Sequence, residues 1–129
     1  MRYSLALRAL GLAVLLSSAA CDHGVPDITG DVSITQGVFG QATDSGTLFT
    51  KDPSPVSGRV IELRQNQTVV GTATSNKRGF FEIPAPAGAY SICLKVDASF
   101  DFCGDLTIAT GTVHIDIEHG TEGYNWRLQ

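Results

Sequence analysis

From residue 60 onward, apolar side chains recur at every second position in four separate runs. Ile61 and Leu63 alternate with Val60, Glu62 and Arg64, and Phe81 and Ile83 with Phe80 and Glu82. Tyr90, Ile92, Leu94 and Val96 alternate with Ser91, Cys93, Lys95 and Asp97. Val113, Ile115 and Ile117 alternate with Thr112, His114, Asp116 and Glu118. A period of two sends successive side chains to opposite faces, so each run predicts a strand with one face on a core and one toward water. No stretch beyond residue 21 sustains the 3.6-residue apolar period of an amphipathic helix.

Turn residues separate these runs. Asp52-Pro53-Ser54-Pro55 and Ser57-Gly58 precede the first, Gln65-Asn66-Gln67 predicts a hairpin, and Ser75 to Gly79 predicts another. Pro84-Ala85-Pro86-Ala87-Gly88 leads into the Tyr90 strand, and Gly104, Gly111, Gly120 and Gly123 read as later breaks. Adding Val32 to Ala42 and Tyr124 to Leu128 gives about seven short strands, the pattern of a β-sandwich. Ser45 to Ser54 is polar apart from Leu48-Phe49 and reads as a surface loop.

The segment before these runs is of another kind. Met1 to Arg8 carries two arginines, Ala9 to Leu16 is apolar, and Ser17-Ser18-Ala19-Ala20 is a run of small residues. This is the layout of a secretory signal, and the apolar part falls short of the roughly 20 residues a membrane-spanning helix needs. Residues 1–20 are therefore expected to be a signal peptide, 21–31 a tether and 32–129 one domain. Cleavage after Ala20 would make Cys21 the first residue of the mature chain. Leu15-Leu16-Ser17-Ser18-Ala19-Ala20-Cys21 resembles a bacterial lipobox, although Ser18 stands where such motifs usually carry Leu. Cys21 is the expected lipidation site, and several acyl chains would give the more-than-one-chain attachment that stable membrane anchoring requires. The alternative at the same bond is a soluble exported chain with an unmodified thiol.

Beyond residue 20, Val, Ile, Thr, Phe, Tyr and Trp number 38 against 12 for Leu, Met, Glu and Lys, which points to an all-β domain. Seven basic residues face thirteen acidic ones there. With no run of Lys or Arg, nothing in the chain matches a phosphate backbone, so nucleic acid is not an expected partner. Cys93 and Cys103 lie in the exported body, where disulfides persist, and are expected to pair with each other. Closing so short a loop is worth about 2.8 kcal/mol by chain entropy. Two cysteines without a second pair or a Cys-x-x-Cys spacing make a poor zinc site.

Between Val38 and Val96 the chain resembles the carboxypeptidase regulatory-like domain family. The residues that carry the resemblance are Gly37-Val38-Phe39-Gly40, Pro55-Val56-Ser57-Gly58, Thr72-Ala73-Thr74, Gly79-Phe80-Phe81-Glu82-Ile83 and Pro86-Ala87-Gly88-Ala89-Tyr90. The resemblance implies a prealbumin-like β-sandwich with Ile61, Leu63, Phe81, Ile83, Tyr90, Ile92 and Leu94 as its facing core. Arg59 departs from the small inward residue usual there, and Asn76 from an acidic turn residue. Members of this family are accessory modules of many different proteins, so the resemblance implies a fold and not a reaction.

Candidate chemistry is sparse. His114, Asp116 and Glu118 share a strand face and His119 follows, but a polar outer face on an otherwise apolar strand accounts for them, so no metal or cofactor is expected. No Gly-x-Ser-x-Gly elbow or His-Glu-x-x-His helix occurs. Hydroxyisourate hydrolases, an enzymatic branch of the prealbumin fold, end in Tyr-Arg-Gly-Ser, whereas this chain ends Trp126-Arg127-Leu128-Gln129. Trp126 shares a face with Tyr124 and Leu128 and reads as a core residue ahead of a sugar-stacking platform; Trp126 and Phe49 are the candidate ligand contacts, and Phe49, Phe100 and Phe102 a candidate exposed apolar rim, although Phe100 and Phe102 beside Cys103 also read as a buried edge.

The expected protein is thus a non-enzymatic lipoprotein of a bacterial envelope, held to the outer membrane or cell surface through Cys21. Its β-sandwich would serve as a structural or protein-interaction module with an envelope protein as partner. A carbohydrate-binding module using Trp126 or Phe49 on a glycan is the alternative. Asp22 resembles an inner-membrane retention signal of enteric bacteria, a rule that does not transfer to other groups.

Overall fold

The computed structural model describes residues 25–45 and 53–129. The expected signal peptide, Cys21 and the Leu48-Phe49 pair lie outside them. Among the described residues nine strands follow in order: β1 (Gly37–Asp44), β2 (Ser54–Pro55), β3 (Val60–Gln65), β4 (Thr68–Thr74), β5 (Phe80–Pro84), β6 (Gly88–Lys95), β7 (Asp101–Ile108), β8 (Thr112–Gly120) and β9 (Gly123–Leu128). In one sheet β1 is central, with β8 parallel to it on one flank and β9 beyond, while β5 and then β2 share its other flank. The second sheet has the order β4-β3-β6-β7 and is antiparallel throughout.

All four alternating runs form strands, and their apolar halves make the core. Val38, Ile61, Leu63, Phe81, Ile83, Ile92, Leu94 and Ile108 are essentially sealed from water, joined by Tyr90, Leu106, Ile115 and Ile117. The buried Tyr90 hydroxyl donates to the Pro86 carbonyl at 2.7 Å, so its one polar atom is paired. Asn66 and Gln67 both take positive φ, 52° and 68°. This is the mirror-image turn that suits a two-residue hairpin between β3 and β4. At the second turn, the Asn76 side-chain oxygen accepts from the Arg78 and Phe80 amides, the acceptor work an acidic residue would otherwise do.

Among the described residues the roughly seven expected strands are joined by β7 and the short β2, which makes nine. Three expectations need correcting. β7 alternates fully, with Phe102, Gly104, Leu106 and Ile108 inward and Asp101, Cys103, Asp105 and Thr107 outward, but Gly104 is a strand residue and not a break. The first strand begins at Gly37, since residues 32–36 are irregular and carry the chain across the sheet.

The third correction concerns the expected tether. Ile28 is 3% exposed and packs with Phe39, Phe80 and Val32 on the outer face of the five-stranded sheet. Thr29–Asp31 forms a turn of 3-10 helix there. Hydrogen bonds hold this strap down: the buried Gln41 side-chain amide donates to the carbonyls of Pro26 and Arg78, and Arg78 donates to the Asp27 carbonyl and pairs with Asp31 at 2.8 Å. Ser33 is bound to the Glu82 carboxylate. Pro26 to Asp31 therefore belong to the domain, and the boundary at residue 31 moves toward the N-terminus.

Candidate functional site

Three regions gather the side chains with chemical potential. On the outer face of the four-stranded sheet, β6 and β7 place Cys93 and Cys103 directly opposite each other, and they form a disulfide. Cys93 is buried and Cys103 exposed. Both face outward because their neighbours Ile92, Leu94, Phe102 and Gly104 face inward, so the pairing register itself brings the sulfurs together. Beside them Arg64 bridges Glu62 and Asp101, the latter at 2.8 Å, and Lys95 approaches Asp101 at 3.4 Å. Arg64, Gln67, Ser91 and the two cysteines line an open depression of about 400 Å³. The Arg64 charge is already satisfied by two carboxylates, so this depression offers an anion no unpaired cation.

Removal of the disulfide has a predictable cost. The sulfurs close a loop with a sequence separation of 10. Replacing both cysteines by serine is expected to lower unfolding stability by about 2.8 kcal/mol, from chain entropy alone. Urea denaturation of the oxidised and double-serine chains measures it, and a difference below about 0.5 kcal/mol would contradict the assignment.

The same region fixes part of the pH dependence. The Arg64 hydrogen bond holds the Asp101 carboxyl below the ordinary carboxylate range, and Asp101 in turn raises the Arg64 guanidinium. The Ser99 amide does the same for Asp97, and the Thr29 amide for Asp27. A carboxylate whose folded pKa is depressed contributes stability above its unfolded value, near 4, and loses it as pH falls through the folded value. These three groups should leave stability flat from about pH 5 to 8 and reduce it only below about pH 4. Denaturant midpoints measured across that range for the parent chain and Asp101→Asn test this; the variant should show the shallower acid limb.

The second region is the seam where β7 meets β9. Trp126 is half-buried and lies over Gly104, where a Cβ would come within 3.0 Å of its ring. Its indole N–H donates to the Phe102 carbonyl at 3.3 Å, and its ring lies near-parallel to Phe102 with centroids 6.4 Å apart. Phe102 also meets Tyr124, which stacks on His119 at 4.4 Å and lies under the Arg59 guanidinium. Arg59 thus sits just before β3, where its departure from a small residue is accommodated by an aromatic face. The seam places Trp126 among packing residues that close the sandwich, while Phe100 is half exposed at the β6–β7 turn. Phe49 lies outside the described residues.

The third region is the outer face of the five-stranded sheet. His114 and Asp116 are brought together, with Nε2 of His114 2.9 Å from the carboxylate, and Phe39 stacks on the imidazole at 4.6 Å. Asp116 also accepts from the Gln41 backbone N–H at 2.8 Å. Glu118 turns instead to Arg127 at 3.1 Å, and His119 lies 3.8 Å from Asp44. The expected face therefore divides into separate pairs, and among the described residues no three His, Cys, Asp or Glu side chains converge as a metal site would require. The strap, Phe39, Phe80 and Gln41 are additions that sequence reasoning missed. The doublet Phe80-Phe81 was the available signal, since two adjacent aromatic residues in a strand require apolar surroundings on both faces. Nothing marked Gln41.

No family model matches the sequence, and no curated protein matches it. Among solved structures, the chain is similar to the 5-hydroxyisourate hydrolase of Klebsiella pneumoniae, with a TM-score of 0.56 and 16% identity over 73% of this chain and 98% of the hydrolase chain. At that identity the likeness is one of fold, and the fold is an all-β, prealbumin-like sandwich.

Proposed function

We propose that this protein is a non-enzymatic lipoprotein of a bacterial cell envelope, whose carboxypeptidase regulatory-like sandwich acts as a structural or protein-interaction module. The observation that carries the reading is the Cys93–Cys103 disulfide. A structural disulfide of this kind belongs in an oxidising compartment, which agrees with the signal-like residues 1–20 and leaves Cys21 as the remaining cysteine. Acylation of Cys21 would anchor the domain to the outer membrane or cell surface. With the strap docked from Pro26 onward, the sandwich would be held close to the bilayer.

In this reading the paired polar side chains serve the fold. His114 is engaged by Asp116 and Phe39, His119 by Tyr124, and Arg127 by Glu118. Each of these side chains has a structural partner within the fold. In this reading Trp126 serves the seam and not a glycan.

Fractionation of cells producing the full chain tests the proposal. The parent should sediment with membranes and require detergent for release, while Cys21→Ala should be recovered in the soluble exported fraction. Equal partitioning of the two would overturn the anchored reading. Saccharide binding that is lost in Trp126→Ala, with the disulfide intact, would favour the carbohydrate-binding alternative instead.

A further inference from the structure

The chain enters the fold at a defined end of the sandwich. The carbonyls of Pro26 and Asp27 are held by Gln41 and Arg78, beside residues 75–79, which join β4 to β5. From there the strap runs the length of the sheet: Ser33 is bound to Glu82, Gln36 donates to the Ala109 carbonyl at 2.9 Å, and β1 starts at Gly37 opposite Pro84 and Thr112. The pairing registers bring a further connection to the entry end. Val60 lies opposite both Thr74 and Lys95, so residues 96–100, between β6 and β7, stand at the same end as residues 75–79.

Phe100 is 50% exposed in that connection. Its carbonyl accepts from the Val96 and Asp97 amides at 3.0 and 3.2 Å, and the Asp97 carboxylate accepts from the Ser99 amide and hydroxyl, so a closed turn carries the ring. Lys77 is exposed in the neighbouring turn. An aromatic ring seats at the boundary of headgroups and acyl chains, and a lysine lays its stem along that boundary with its charge among the phosphates.

We infer that this end of the sandwich rests on the bilayer, with Phe100 at the headgroup boundary and Lys77 among the lipid phosphates. The inference rests on the acylation of Cys21 proposed above. Five residue steps separate Cys21 from Pro26, at most about 18 Å of chain. The eight residues of β1 alone span about 26 Å, so the anchored chain is too short for the opposite end to be turned to the membrane. Lying on the strap's face would instead press Asp31 and Glu82 against lipid, at a desolvation cost that the end carrying Phe100 avoids. Seven basic residues against thirteen acidic ones beyond residue 20 give no general attraction to an anionic surface, so the contact is local and led by an apolar side chain.

The full-length, acylated chain reconstituted into vesicles of phosphatidylethanolamine and phosphatidylglycerol tests the orientation. With Cys21 acylated and Cys93 joined to Cys103, an introduced cysteine is the one free thiol and takes a fluorophore. A label at Ala98→Cys, two residues from Phe100, should be quenched by spin-labelled lipid at least threefold more than one at Thr110→Cys, in the connection at the opposite end. Adding Phe100→Ser to Ala98→Cys should at least halve that quenching while the disulfide stays intact. Equal quenching at the two positions in a chain shown by mass to be acylated would overturn the orientation alone, and unchanged quenching with Phe100→Ser would overturn the part given to Phe100. A label at Ala98→Cys shielded from aqueous iodide yet not quenched by lipid would mean that protein covers this end, and would overturn the inference too. A mature chain with Cys21 unmodified would overturn the anchoring and this inference together.

Discussion

Replacing Gly40 by alanine is expected to cost more than about 3 kcal/mol, a large share of the 5–15 kcal/mol by which domains are usually stable. Gly40 lies in the central strand β1, and a Cβ there would sit 1.7 Å from the Ile115 carbonyl oxygen and 2.8 Å from the Phe81 ring. The first obstacle is backbone in the parallel neighbour β8, so no rotamer change relieves it. The two strands would have to part at the junction that holds β8 and β9 to β1. The ladder is already interrupted there: pairing runs through Phe39 and His114 and resumes at Ala42 and Ile117, with the Asp116 carboxylate accepting from the intervening Gln41 amide. Overpacking alone costs about 1–3 kcal/mol, and separation would add lost backbone hydrogen bonds to that. Denaturant unfolding of Gly40→Ala is the measurement, and a variant within about 0.5 kcal/mol of the parent would show that the strands do not approach as described.

The second large effect is expected from Phe81→Ala. Phe81 is 1% exposed at the centre of the core, and its removal leaves a cavity whose cost falls in the range of about 3–5 kcal/mol. Phe80 gives the internal comparison. It is 9% exposed and packs in the small outer cluster with Ile28 and Phe39, where the strap can settle into the space. Phe80→Ala should therefore cost clearly less, and it should increase hydrogen exchange in residues 28–32 before anywhere else. Equal costs, with equal denaturant slopes, would mean that the two faces of β5 are not as unequal as the packing indicates.

The contrast between these neighbours also marks what the amino-acid sequence reveals. Alternation identified Phe81, Ile83, Ile92 and Leu94 as core because a sheet with one solvated face leaves a period of two. It assigned Phe80 to the polar face, since no periodicity shows that residues 26–32 fold back over that face and bury it. Gly104 misled for a related reason. A glycine within an alternating run reads as a turn, and only the position of Trp126 above it explains why β7 has no side chain at that point.

The cysteines were legible because redox chemistry constrains them: two thiols in a domain expected to be exported have few uses, and the register of β6 and β7 sets them face to face. The His114, Asp116 and Glu118 trio was legible as a shared face but not as a set of separate pairs. Which of them would turn toward Phe39, Gln41 or Arg127 depends on β1 and β9, distant in sequence and joined to β8 through pairing that composition does not specify.

The proposed attachment of the β-sandwich to the envelope through Cys21 as first mature residue is open to direct measurement, by the intact mass of the protein extracted from membranes. The expected species is a chain beginning at Cys21, heavier than residues 21–129 by the mass of its acyl groups, with fragmentation placing the added mass on that residue and the Cys93–Cys103 disulfide intact. A mature chain that begins at Cys21 with an unmodified thiol, or one that retains residues 1–20, would contradict it.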